Sequence, residues 1–204
     1  MSAERTAVAA ALVAGFWFAP AASRPATAAD ADWPCAQRLV PQLSAGTLWA
    51  GPAPQGDWRA EPGASGLVGR IAPRTVGEAE GTAAIGAFAA PLDAASRRRL
   101  LPLAFAGLLD ETNRERDVLI DQIKRFARRQ RELAERVRGL EAELRAIPSD
   151  AGPAREELEQ RHLFAAKTFT DAGRTARYAC EAPVRLEARL GAYGRALAEA
   201  LPAD

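Results

Sequence analysis

The sequence has few of the side chains on which catalytic and metal sites most often depend. It contains one histidine, His162, and two cysteines among 204 residues. Metal sites and Ser or Cys triads commonly need at least one histidine, but a metal site also needs companion ligands, and no group with ligand spacing surrounds His162. We therefore expect no bound metal and no cofactor. We interpret His162 as a packed histidine, with a pH-responsive role as the alternative.

An excess of charge of one sign is also absent. The chain carries 27 basic and 26 acidic residues, and without residues 1–28, which hold Glu4, Arg5 and Arg24, it carries 25 of each. Nucleic acids and anionic membranes bind a basic excess gathered on one face. We therefore expect no nucleic-acid partner.

The apolar run near the N-terminus, residues 7–19, is shorter than the roughly 20 residues that span a bilayer. It follows Arg5, ends before Pro20 and precedes Ala26 and Ala28, small residues at the two positions that a signal peptidase reads. This order predicts a cleaved secretory signal peptide over residues 1–28. We expect a periplasmic protein with no stable membrane span after cleavage.

Two alternatives to a cleaved signal peptide are an uncleaved membrane anchor and a lipid anchor at Cys35. An uncleaved signal would act as an anchor, which the short apolar run disfavours. A lipid on Cys35 would need a preceding lipobox of small residues, and Asp32-Trp33-Pro34 does not resemble one. Whether the signal is cleaved or retained is left open by the sequence.

Cys35 and Cys180 are well separated in the chain. Redox-active pairs usually have Cys-X-X-Cys spacing and a lowered thiol pKa, so thiol exchange is the weaker interpretation. In an exported chain, a single pair most simply forms a structural disulfide. We predict a Cys35–Cys180 bond that closes a loop of about 145 residues.

Residues 29–65 show no helical period and are rich in proline and glycine, which indicates an extended arm with at most a short helical turn near residues 40–45. The arm carries three tryptophans, Trp33, Trp49 and Trp58, among other apolar residues. That is too much apolar surface to leave in water, so we expect the arm to pack on a helical domain formed by residues 66–204.

Shorter helices are predicted before the main ones. One spans residues 66–72, and a second runs from a capping box at Thr75 and Glu78 to about residue 90, with Val76, Ala79, Ala83 and Phe88 inward. Asp93 caps the next helix, in which Pro102 predicts a kink or a break at a cost of about 3 kcal/mol.

The dominant pattern is a 4-3 spacing of large apolar residues from position 119 to position 147. This spacing is typical of a heptad seam, and a second seam of mostly small residues runs from Leu158 through Pro183 to Leu197. Pro183 predicts a bend, and the six residues 148–153 between the seams predict a tight turn. The predicted fold is all-α: a long antiparallel helical hairpin with shorter N-terminal helices and an extended arm. The members of the first seam are Leu119, Ile123, Phe126, Gln130, Leu133, Val137, Leu140, Leu144 and Ile147.

Two charged stretches are candidate sites. Residues 110–117 hold charges of both signs, and an enzyme site around Arg114, Glu115 and Arg116 is the alternative to a solvated helix face, with Thr112 and Arg116 in seam positions. Residues 124–131 are basic and could bind an acidic partner. Candidate partner-binding residues are Trp33, Trp49, Trp58, Lys124, Arg125, Arg128 and Arg129.

Several short motifs carry a family resemblance. They are Asp32-Trp33-Pro34-Cys35, Leu39-Val40-Pro41, the Trp-Ala-Gly-Pro at Trp49, the Lys-Arg-Phe-Ala-Arg-Arg-Gln at Lys124, and Cys180-Glu181. With them the chain resembles a group of uncharacterised exported helical proteins of alphaproteobacteria that have an Asp-Trp-Pro-Cys N-terminus. The resemblance implies no known activity. We predict a non-catalytic periplasmic interaction or scaffold protein that binds another periplasmic or envelope protein.

Overall fold

The computed structural model describes residues 32–203, and the predicted signal peptide lies outside these residues. The described chain is all-α, with five α-helices, one 3₁₀ turn at Trp58–Ala60 and no strand. The α-helices are α1 (Ala45–Leu48), α2 (Pro62–Ile71), α3 (Glu78–Ala89), α4 (Ala94–Ala146) and α5 (Pro153–Glu199). None of the helices within residues 32–203 is both long and apolar enough to cross a bilayer.

The two longest helices form the predicted antiparallel hairpin. Helix α4 has 53 residues and is therefore about 80 Å long at 1.5 Å per residue. Its last turn closes at Ile147, and Gly152 turns the chain back with a φ of 59°, in the left-handed region that glycine adopts most readily. Pro153 begins α5, where its missing N–H leaves no helical bond unmade.

The first seam lies along the contact between α4 and α5. Leu119, Ile123, Leu133 and Leu140 are buried, while the polar Gln130 donates from Nε2 to the carbonyl oxygen of Phe169 at 3.4 Å. A symmetric turn pairs position 130 with position 172, less than one helical turn from Phe169. The register of the hairpin therefore follows from the length of its turn.

The main core lies at the base of the hairpin, where α2 and α3 pack on the first half of α4 and the last turns of α5. Ile71, Ile85, Leu101 and Leu197 are fully buried there, as is the ring of Tyr193. The base therefore supplies the apolar core that two helices side by side lack.

The arm packs on the hairpin as its apolar content predicts. Leu43 is buried, and its backbone N–H and carbonyl both bond to the side chain of Asn113. Trp49 stacks on Phe105 with ring centroids 4.7 Å apart. Gly194 of α5 passes so close to the carbonyl oxygen of Leu48 that any Cβ would collide with it. Base and arm thus form one packed body.

The predicted break at Pro102 is wrong, because α4 continues through it. Proline removes one helical bond, but residues 100–105 are all buried, and their packing offsets a cost of about 3 kcal/mol. Helix α5 likewise continues through Pro183, which is buried. Packing on both sides therefore decides the outcome at these two prolines.

The predicted starts of the shorter helices also need correction. Helix α3 begins at Glu78 after Gly77, with no side-chain cap, so the capping box at Thr75 is wrong. Residues 73–76 form a turn whose carbonyl oxygens accept from Arg189, which fixes them outside the helix. The buried face is consequently Gly81, Ile85 and Ala89, whereas Ala79 and Ala83 are exposed.

Two further boundaries shift. Helix α2 begins at Pro62, four residues before the predicted start, because proline is favourable in a first helical turn. The short turn predicted near residues 40–45 is α1, which begins at Ala45. By contrast, Asp93 caps α4 as predicted, accepting from the backbone N–H of Ser96 at 2.7 Å.

Candidate interaction surfaces

Cys35 and Cys180 form the predicted disulfide, with Cα atoms 5.6 Å apart. Neighbouring polar groups support the junction: Gln37 donates from Nε2 to the carbonyl oxygen of Cys180 at 2.5 Å, and Trp33 donates from Nε1 to the carbonyl oxygen of Gln37 at 2.7 Å. The bond therefore fastens the start of the described arm to the middle of α5.

The indole rings of Trp49 and Trp58 are used by the fold. Besides stacking on Phe105, Trp49 donates to the carbonyl oxygen of Pro52 at 2.8 Å. Trp58 donates to the Asp110 carboxylate at 2.9 Å, with Arg59 over its ring. Both rings are only partly exposed. Most of each ring packs within the protein, and only the remainder is accessible to a partner.

Three arginines of the basic stretch 124–131, which was predicted to bind an acidic partner, pair with carboxylates of the chain itself. Asp32 forms ion pairs with Arg128, at 2.7 Å, and with Arg131. Hydrogen bonds from these two guanidinium groups hold the pKa of Asp32 below its usual value. Arg129 pairs with Glu132 at 3.2 Å. The sequence indicates this contact indirectly. Asp32 lies three residues before Cys35, and the disulfide of Cys35 holds this end of the arm on the hairpin.

Arg116 is, with the uncharged Thr112, one of two buried polar residues of the charged stretch 110–117. It is 4% exposed, and it donates from Nη1 to the carbonyl oxygen of Pro183 at 3.0 Å and from Nη2 to that of Val40 at 2.8 Å. Burial lowers its pKa, while Glu187 and Asp117 act in the opposite direction. As its seam position predicts, Arg116 joins the arm, α4 and α5, which is a structural role.

Glu111, Arg114 and Glu115 of that stretch line an open cleft of about 520 Å³ between α2 and α4, bordered by Trp58 and Val118. Its two carboxylates are already paired: Glu115 with Arg74 at 2.5 Å and Glu111 with Arg114 at 2.7 Å. The oxygens of a carboxylate in such an ion pair accept from the arginine, so they are less available to a substrate. The cleft therefore fits an ion-paired contact between α4 and the turn at residues 73–76 better than a reaction centre.

A protein site for a metal ion needs several acidic, cysteine or histidine side chains close together. Over residues 32–203, no group of three or more such side chains is close enough to hold an ion. His162, on the seam, lies with Nε2 at 3.5 Å from a Glu141 carboxylate oxygen. A protonated His162 would form an ion pair with Glu141 across the hairpin.

The outer half of the hairpin, residues 124–176, presents an exposed apolar surface that the seam spacing does not indicate. Leu163 and Phe164 on α5 are 71% and 74% exposed. Phe164 also borders a groove of about 390 Å³ between the two helices, with Leu133 and Ala165 on its floor. Three arginines also line the groove: Arg129, Arg136 and Arg161. Neither exposed residue is on the seam, so the 4-3 spacing gave no signal for them.

Comparison with known proteins gives no assignment: no family model, curated protein or solved structure matches the chain. The described part of the chain is thus defined by its architecture, an all-α hairpin fastened by one disulfide to an irregular arm.

Proposed function

We propose that the protein is a non-catalytic helical interaction module of the periplasm, exported by a cleaved signal peptide. The disulfide supports export, because such bonds persist in oxidising compartments and are rare in the cytosol. The predicted signal over residues 1–28 agrees with that location.

The architecture supports an interaction role. The base is fixed by the core, the disulfide and Arg116, and the hairpin extends from it as two long helices. In the outer half, the cluster of buried residues consists of Leu140, Leu158 and Ala165. Two helices can bury one seam between them, and their remaining faces stay open to a third element.

The observation that carries the proposal is the exposure of Leu163 and Phe164 beside a groove. Fully exposing a Leu or Phe side chain forfeits about 1.5 to 3 kcal/mol of burial energy, which a partner recovers on contact. Aromatic residues and arginine are also enriched at protein interfaces relative to the rest of the surface. The function therefore resides in the outer half of the hairpin, with the base as its support.

The test is capture from the periplasm and envelope of the native host by the tagged protein. We expect Phe164→Glu to reduce the captured partner at least about tenfold, because it places an acid in an apolar contact. Val184→Glu is the matched control, since Val184 is an exposed apolar residue of the same helix, 49% exposed and outside the outer half of the hairpin.

Both substitutions are at exposed positions, so each variant should unfold within about 0.5 kcal/mol of the wild type. Unchanged capture by Phe164→Glu, or equal loss with Val184→Glu, would show that the outer hairpin is not the binding surface.

A further inference from the structure

Charge is distributed unevenly along the hairpin. In its outer half, the part nearer the base, residues 124–138 and 161–176, carries ten basic and three acidic residues, whereas the tip, residues 139–160, carries two basic and six acidic residues. We call these the basic stem and the acidic tip. Asp32 of the arm pairs with Arg128 and Arg131 of the basic stem, which leaves that stem with a clear basic excess.

The exposed apolar pair lies where the two charged parts meet. Leu163 and Phe164 follow the last residue of the acidic tip by three and four positions. The acidic tip therefore lies on one side of the apolar pair, with Arg161 between them, and the larger part of the basic stem, including Lys167 and Arg174, lies on the other side. Such an order is self-complementary: when two copies lie antiparallel, acid faces base on both sides and the apolar residues meet in the middle.

We propose that the occupant of the hairpin groove is a second copy of this chain, packed antiparallel through a twofold axis near Leu163 and Phe164. The acidic tip of each copy then lies on the basic stem of the other. The groove arginines Arg129 and Arg136 face the partner tip, and the two hairpins together form a four-helix arrangement with a fuller core. This assignment rests on the proposed function, since it names the partner of the same surface.

A foreign acidic helix fits the observations less well. It would match Arg129, Arg136 and Arg161 in the groove. It would leave the acidic tip of the hairpin without a basic counterpart, whereas a second copy satisfies the stem and the tip at once. The charge pattern thus favours self-association, and the same pattern provides its test.

The experiment is sedimentation velocity on disulfide-bonded protein at micromolar concentrations and low salt, with two charge-reversed proteins. The stem variant carries Arg129→Glu and Arg136→Glu, and the tip variant carries Glu143→Arg and Glu156→Arg; all four positions are exposed. We expect wild type to be a dimer and each variant alone to dimerise at least about tenfold more weakly, because like charges then face each other.

An equimolar mixture of the stem and tip variants should recover the dimer, since a reversed stem is complementary to a reversed tip. A control with two reversals on exposed arginines of the base, Arg70→Glu and Arg98→Glu, should dimerise like wild type. Raising the salt concentration should weaken the wild-type dimer by screening.

A monomeric wild type overturns the proposal, as does a mixture that stays monomeric. If wild type is monomeric and Phe164→Glu still loses a captured protein, the surface is an interaction site for a foreign partner and the self-association alone is wrong. If Phe164→Glu weakens neither dimerisation nor the capture of another protein, the proposed function is wrong as well.

Discussion

Replacing both cysteines, as Cys35→Ala with Cys180→Ala, is expected to lower the free energy of unfolding by about 4 to 5 kcal/mol. The bond joins residues 145 positions apart, and a loop of that length loses much conformational freedom in the unfolded chain. Since the total stability of a domain is about 5 to 15 kcal/mol, this single bond contributes a large fraction of it.

The measurement is denaturant unfolding of the double variant and of wild type, followed by helical circular dichroism. Reducing the disulfide of the wild type removes the same bond without a substitution. The reduced wild type should therefore lose a comparable amount of unfolding free energy. A loss below about 1 kcal/mol in both would mean that the arm holds to α5 without the bond, and the role assigned to the junction would be incorrect.

Arg116→Ala is expected to cost about 3 kcal/mol of stability. The truncation removes a side chain that is 4% exposed and leaves the carbonyl oxygens of Val40 and Pro183 without their donor. It also opens a cavity where the arm, α4 and α5 meet, so the cost combines lost hydrogen bonds with lost packing.

Two variants isolate the cause. Arg116→Met keeps most of the side-chain volume but supplies no donor, so it should recover the packing part of the loss and leave the hydrogen-bond part. Arg114→Ala, two residues along the same helix, removes an exposed arginine paired with Glu111 and should cost less than about 1 kcal/mol. Equal losses for Arg114→Ala and Arg116→Ala would contradict a structural role for Arg116.

The hairpin could be predicted from the sequence because its signals are local. Seam spacing, the turn at Gly152 and Pro153, and the cap at Asp93 depend on residues close together in the chain. The disulfide was predictable for a different reason, since a single cysteine pair leaves one pairing. The burial of Arg116 also followed from its seam position.

What the sequence did not predict depends on contacts between distant segments. Whether Pro102 breaks a helix is decided by packing on the surrounding turns, and the start of α3 is decided by Arg189, more than a hundred residues away. The intramolecular partner of Arg128, Asp32, is likewise distant in sequence.

The partner-binding residues named from the sequence stay a prediction. The tryptophans and the basic stretch were sensible candidates for partner binding, because aromatic and arginine side chains dominate interfaces. Trp49 and Trp58 instead pack on the hairpin, as the apolar content of the arm predicted. The sequence did not indicate Leu163 and Phe164 as candidates. They lie outside the seam, and their exposure depends on how the helices of the hairpin and its base pack together.

The central claim, that the outer hairpin is the binding surface, is tested most directly in living cells. A photo-crosslinking residue is placed at position 164, or at position 184 as control, and the protein is irradiated in the native envelope. The account predicts a discrete covalent product at position 164, with the mass of two copies of the chain, and no such product at position 184. Absence of a product at position 164, or equal products at both positions, would contradict it.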